Sequence, residues 1–250
     1  MFQISLKGFL NKLDLQKEKA KDYRNVVLTQ IVIIVLGLLL YEPLLEDSKS
    51  DISKLIITIL SSSGAIYAFL LWDLLRNFTS NKVLIMVILI VLSIIVIAGV
   101  LAEFPYYQII QVSDRQTYLL ILHGFLFPIE ITVIGFAIRD MFSAGSITSD
   151  KLWGAACVFL MVGISFGSLY DLICIARPGS LGIAIELGLP NYSECVTYSF
   201  SVLGGVDSDL KPTKFIKSIS IIESIWGVLY AMLIIGKLLG LPRLENENKN

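Results

Sequence analysis

Two carboxylates stand two residues apart in a short polar run, Gly204-Gly205-Val206-Asp207-Ser208-Asp209. Repeated around a symmetry axis, Asp207 and Asp209 would form two carboxylate rings, and such rings attract cations. The Gly204-Gly205 pair could supply a backbone-carbonyl constriction below them, since glycine lets backbones approach closely. A second candidate is His123 with Glu130, inside an apolar stretch. Seven positions is about two helical turns, so the two share a face. An ionisable residue in such a stretch is a functional candidate. The structural alternative has Glu130 stapling a bundle through Asp73, Arg76 or another polar partner. A third run, Gly163-Ile164-Ser165-Phe166-Gly167, has the form of a nucleophile elbow. That motif acts at a strand-to-helix turn. Here it lies within an apolar helix, where small residues serve close packing, so no enzyme is expected. No run has metal-ligand spacing, and neither a metal centre nor a cofactor is expected.

The elements that must position these residues are membrane helices. The chain is 55% hydrophobic and 16% charged, too apolar for a soluble domain of 250 residues to bury. A bilayer core of about 30 Å needs about 20 apolar residues per helix. Six stretches qualify: Val26–Leu45, Leu55–Leu75, Val83–Glu103, Tyr118–Ile138, Leu152–Ile173 and Phe215–Leu239. All are expected to be helical, because lipid offers no partner to an unpaired backbone group. The fold class predicted is an all-α membrane protein of six transmembrane helices, with a re-entrant helix and loop between the fifth and sixth. Residues 1–25 are too polar for a signal peptide. They read either as an amphipathic helix in the cytoplasmic interface or as a polar leader.

Basic residues set the orientation. Lys7, Lys12, Lys17, Lys19, Lys21 and Arg24 precede the first span. Arg76, Lys82, Arg139 and Lys151 fall in links on the same side, and Arg243 and Lys249 in the tail. The excess places both termini in the cytoplasm of a multi-pass cell-membrane protein. The segment 174–213 then faces outward. Span four carries no basic residue between Tyr118 and Ile138, so it lacks the charges on which a voltage sensor depends. Cys174 and Cys195 fall on the outer side and Cys157 within a span. Free thiols are expected, with a Cys174–Cys195 pair as the alternative. The net charge of −1 gives no reason to expect a nucleic-acid partner.

From about Trp153 onward the chain resembles the two-helix pore module of bacterial potassium-channel-like proteins. The residues that carry the resemblance are Phe166-Gly167-Ser168-Leu169-Tyr170, Pro178-Gly179, the amphipathic segment Tyr192 to Leu203, Asp209-Leu210-Lys211-Pro212, Glu223-Ser224-Ile225-Trp226-Gly227 and Leu229-Tyr230. With the spans read above, the chain divides into a cytoplasmic segment 1–25, a four-helix domain 26–140, a pore-like domain 152–241 with its pore loop at 191–212, and a tail 242–250; the resemblance covers the pore-like domain and fits the preceding spans in number and orientation only. The resemblance implies a homotetramer in the lipid bilayer conducting monovalent or divalent cations.

The filter departs from the family's pattern. Aligned on Asp209 and Pro212, the family's Gly-Tyr-Gly-Asp falls on Val206-Asp207-Ser208-Asp209, so both filter glycines are replaced. A gap would instead align Gly204 or Gly205 with a filter glycine. Neither register restores the threonines or the tyrosine, and valine at a left-handed position is strained. The expectation is a cation channel with weak selectivity. One alternative is a non-conducting pseudo-channel subunit; another is an intramembrane enzyme or small transporter using His123 and Glu130. Glu223 is expected either to support the pore loop through the short helix or to touch permeating ions. Gly227 and Gly236 are read either as hinge points of the inner helix or as packing positions.

Overall fold

The computed structural model describes residues 20–35, 51–79, 81–103, 113–142 and 149–239. The end of the first expected span, most of segment 1–25 and the tail 242–250 lie outside the described residues. Seven helices follow in chain order, and no strand occurs among the described residues. They are α1 (20–35), α2 (Asp51–Phe78), α3 (Lys82–Glu103), α4 (Arg115–Met141), α5 (Ser149–Ala176), α6 (Leu189–Gly204) and α7 (Lys214–Leu239). Among the described residues, four stretches are long and apolar enough to cross a membrane: Lys82–Leu101, Arg115–Met141, Lys151–Ala176 and Lys214–Gly236. These four helices are compatible with a multi-pass membrane protein.

Two cores hold the helices together. The larger joins α1, α2, α4 and α5 through Tyr23, Leu71, Leu75, Val133, Val158 and Met161, all buried. The smaller lies where α5, α6 and α7 meet and contains Tyr170, Cys174, Leu181, Cys195, Tyr198 and Ile216. Phe166 packs against both. The helix α3 shows much of its aliphatic surface outward, including Val83, Met86, Ile90, Ile94 and Ile97. For a helix in lipid that exposure costs nothing, because the surroundings are as apolar as its side chains.

The first helix begins by residue 20, inside the segment expected to lie outside the bundle. Tyr23 is the reason. Its ring packs over Gly154, where an added Cβ would stand 3.2 Å from Tyr23 Cζ, and it lies 5.9 Å from the Phe78 ring. Its hydroxyl donates to Asp140 Oδ2 at 3.2 Å. Asn77 Nδ2 also donates to Asp22 Oδ2 at 2.7 Å, tying α1 to the end of α2. An amphipathic ring with its polar tip satisfied is stable at such a boundary.

Sequence also fixes how α4 starts. Asp114 caps it: Oδ1 accepts from the Thr117 amide at 3.1 Å, and Oδ2 accepts from the Thr117 hydroxyl at 2.6 Å. Those bonds, the hydroxyl's first, hold the exposed Asp114 carboxyl below its ordinary value. Tyr118 donates to Ala98 O of α3 at 2.6 Å, and Gln116 Nε2 donates to Ile175 O of α5 at 2.7 Å.

Candidate functional site

The short helix α6 is positioned by close approach to α5. Gly163 and Gly167 are one turn apart on α5. A Cβ on Gly163 would stand 2.6 Å from the Phe200 ring, and one on Gly167 would stand 2.8 Å from Val196 Cα. The run with the nucleophile-elbow spacing therefore forms a contact surface in the middle of a helix. Because nothing larger intervenes, the Ser199 hydroxyl of α6 reaches the Gly163 carbonyl of α5 at 2.7 Å.

Both ends of α6 are set by sequence. Pro190 occupies its first turn, where a missing amide hydrogen costs nothing. At the other end the Val206 amide donates to Ser201 O at 2.9 Å and the Gly205 amide to Val202 O at 3.3 Å. That pair of bonds is a Schellman motif, and it needs the left-handed φ of +65° that Gly205 supplies.

The polar loop follows directly. Gly204, Gly205, Val206, Asp207 and Asp209 are exposed, and Ser208 is half-buried. Ser208 Oγ accepts from the Leu210 amide at 3.3 Å, closing a small local turn. No non-glycine residue among those described has a positive φ. Val206 therefore escapes the strain that a filter register would impose on it. The far side of the loop is fastened to the outer turn, where the Thr213 amide donates to Ser180 O at 2.9 Å. Gly182, at φ +90°, lets that turn close, because a Cβ there would lie 2.4 Å from Lys211 O.

Beneath the loop lies a buried carboxylate. Glu223 of α7 is fully buried. Its Oε2 accepts from the Tyr170 hydroxyl at 2.6 Å, and its Oε1 accepts from the Ser199 hydroxyl. One side chain thus joins α5, α6 and α7. Lower on α7, Tyr230 donates to Ala155 O at 2.8 Å and stacks on Trp226 at 4.7 Å. The helix α7 is thus pinned to α5 at two levels.

A second polar group lies where α4 meets α5 and α6. His123 Nδ1 is hydrogen-bonded to Asp171 Oδ2. Asn191 Nδ2 donates to Asp171 Oδ1 at 2.6 Å. The His123 ring also meets the edge of Tyr192 at 5.9 Å. Asp171 is completely buried, so both its oxygens find partners inside the protein.

His123 and Glu130 remain neighbours on α4, as their spacing requires, but meet different partners. His123 and Glu130 do not bond each other: His123 pairs with Asp171, and neither carboxylate oxygen of Glu130 has a hydrogen-bond partner. Asp73 and Arg76 bond each other at 3.3 Å, so neither staples Glu130. Gly227 faces α6, where a Cβ would meet Leu203 Cδ2 at 2.9 Å, a packing role. A Cβ on Gly236 would meet nothing within 4 Å. Cys157, Cys174 and Cys195 are buried free thiols. Among the described residues no group of three or more His, Cys, Asp or Glu could hold a metal ion.

Sequence reasoning missed Asp171, Asn191 and the two partners of Glu223. Asp171 had a signal, since it is a carboxylate inside an apolar span. Tyr170 stands out in sequence only as part of the pore-module resemblance, and Ser199 only as part of the short helix through which Glu223 is expected to act; neither is marked as a partner of Glu223. No known protein family, curated protein or solved structure matches the chain. Its class thus rests on its own features: the described residues are helical, four of their helices are fit to span a bilayer, and a short capped helix with its polar loop lies between the last two.

Proposed function

We propose that this chain is one subunit of a homotetrameric cation channel of potassium-channel-like plan, with six membrane spans and both termini in the cytoplasm. The observation that carries the proposal is the Glu223 junction. A pore built from a helix, a short re-entrant helix, a loop and an inner helix must hold the short helix rigidly, and here one carboxylate joins all three helices. The loop that follows stays exposed, as a segment shared with other copies of the chain must be. Much of α7 is apolar and uncovered, including Ile221, Ile225, Val228 and Met232. Neighbouring inner helices and lipid would cover it.

Asp207 and Asp209 then form carboxylate rings at the outer mouth, and Gly204 and Gly205 line the narrowing below. Such a pore attracts monovalent and divalent cations with little preference for potassium, because the backbone lacks the repeated glycines of a potassium filter. The absence of basic residues between Arg115 and Arg139 of α4 supports a gate that does not respond strongly to voltage.

The test is reconstitution into planar bilayers with bi-ionic gradients of potassium, sodium and calcium. Cation currents with weak potassium preference are expected. Strong potassium selectivity would refute the degenerate filter. Silence from verified tetramers would favour a non-conducting subunit of the same plan.

A further inference from the structure

Four polar side chains from four helices are buried close together, away from the loop. Gln30 of α1, Tyr67 of α2, Glu130 of α4 and Ser168 of α5 are between 0% and 5% exposed. Gln30 stands beside the Tyr67 hydroxyl, and the Glu130 charge acts on Tyr67. Ser168 stands beside the Glu130 carboxylate, though no well-formed hydrogen bond joins them. Both oxygens of Glu130, the Tyr67 hydroxyl, the Ser168 hydroxyl and both amide atoms of Gln30 make no well-formed hydrogen bond, although Ser168 also stands beside the Tyr192 hydroxyl.

Buried polar atoms are nearly always satisfied, and a buried carboxylate costs several kcal/mol unless compensated. The charge count is also short. His123, the charged neighbour of Glu130, is already paired with Asp171. When that imidazole is protonated the pair is neutral, and one negative charge remains on Glu130. A single proton would remove the charge but make only one new hydrogen bond, leaving most of these oxygens unpaired. Water would supply hydrogen bonds but no charge. A cation of charge +1 does both: it neutralises one carboxylate and accepts hard oxygen donors, which Glu130, Tyr67, Ser168 and Gln30 carry. The donor set argues against softer or more highly charged ions. One carboxylate with neutral oxygens is too little charge for a tight divalent site, and no described cluster has the ligands of a transition metal. Glu130 lies about 22 Å along α4 from Arg115, near the middle of that helix.

We propose that Gln30, Tyr67, Glu130 and Ser168 hold one monovalent alkali cation inside the bundle, at a site separate from the pore-like loop. The site ties α1 and α2 to α4 and α5, so its occupancy stabilises the contact between the first helices and the pore-like module.

The experiment uses the full chain in lipid nanodiscs, at fixed ionic strength and about pH 8, where carboxylates are ionised. Holding pH constant matters because His123, Asp171 and Tyr192 flank the site. N-methylglucamine chloride is replaced stepwise by sodium, potassium or lithium chloride, and thermal unfolding is followed. The expected result is a saturable rise in Tm that differs among the three alkali cations. Glu130→Gln should abolish it, and Tyr67→Phe should raise the half-saturating concentration roughly tenfold. The double variant Asp207→Asn/Asp209→Asn should keep the part of the response that Glu130→Gln removes. Should Glu130→Gln fail to fold, Tyr67→Phe and Ser168→Ala carry the test through their shifted midpoints. The proposal is overturned by a rise that is the same for every salt, by an unaltered response in Glu130→Gln or in both milder variants, or by its loss in the loop double variant. It also fails if acidification stabilises the protein and alkali cations do not, since a proton would then occupy Glu130.

Discussion

The Tyr170 hydroxyl donates to Glu223 Oε2 at 2.6 Å, joining helices 53 residues apart in sequence. Ser199 donates to the other oxygen, so the carboxylate is held by two hydroxyls from two helices. Replacing Glu223 by alanine leaves the Tyr170 hydroxyl without this acceptor, while Ser199 keeps the Gly163 carbonyl. The expected loss is about 1–3 kcal/mol of stability, with release of α6 from α7. Glutamine retains one acceptor oxygen and should cost less. Thermal unfolding in detergent, with size exclusion to follow the oligomer, checks the order wild type, glutamine, alanine.

Small residues on α5 should differ in tolerance according to what faces them. Gly167→Ala drives a methyl into the Val196 backbone, which cannot yield without moving α6. A cost of about 1–3 kcal/mol is expected. Gly163→Ala meets the Phe200 ring, whose side chain can turn, and should cost less. Gly236→Ala meets nothing and should gain up to about 1 kcal/mol from helix propensity. Equal effects at Gly167 and Gly236 would refute the close α5–α6 contact.

Acid should weaken the start of α4. The Asp114 carboxyl titrates below its ordinary value in the folded protein because Thr117 donates two bonds to it. The native state therefore favours the ionised form. Its contribution is complete above the unfolded-state value near 3.8 and is lost as pH falls through the lower folded value. Asparagine can still accept the amide bond but does not titrate. The Tm advantage of wild type over Asp114→Asn should therefore be present at neutral pH and close in acid. An advantage that persists unchanged in acid would show that the cap does not depend on charge.

Conduction should depend on the loop carboxylates. Asp207→Asn/Asp209→Asn should lower single-channel cation conductance several-fold, most at low salt, where attraction to fixed charge is least screened. Recording the double variant beside wild type at two ionic strengths checks this. Unchanged conductance and selectivity would remove the carboxylate rings from the account. Glu130→Gln should leave single-channel selectivity as in wild type, because Glu130 lies on α4, away from the loop.

The helical character of this chain follows from composition and run length alone. An aliphatic run of the kind seen from Val83 to Val100 has no other stable form in lipid, and the cap of α4 is written in Asp114 and Thr117. The short helix before the loop was legible as the amphipathic segment Tyr192 to Leu203, and the structure adds Pro190 in its first turn and Gly205 at its end. What each buried polar residue bonds was not legible. Periodicity places a residue on a face, and so it put His123 and Glu130 together. It cannot say which helix lies opposite that face. Only the packing of α4 on α5 and α6 gave His123 to Asp171 and left Glu130 beside Tyr67 and Ser168. Likewise Glu223 could be seen as a carboxylate in an apolar span, but its partners come from residues 24 and 53 positions away. Sequence therefore determined which segments are helices and where they cap, because those depend on neighbours along the chain. Tertiary structure alone decided which polar groups meet, because that depends on helix contacts across tens of residues.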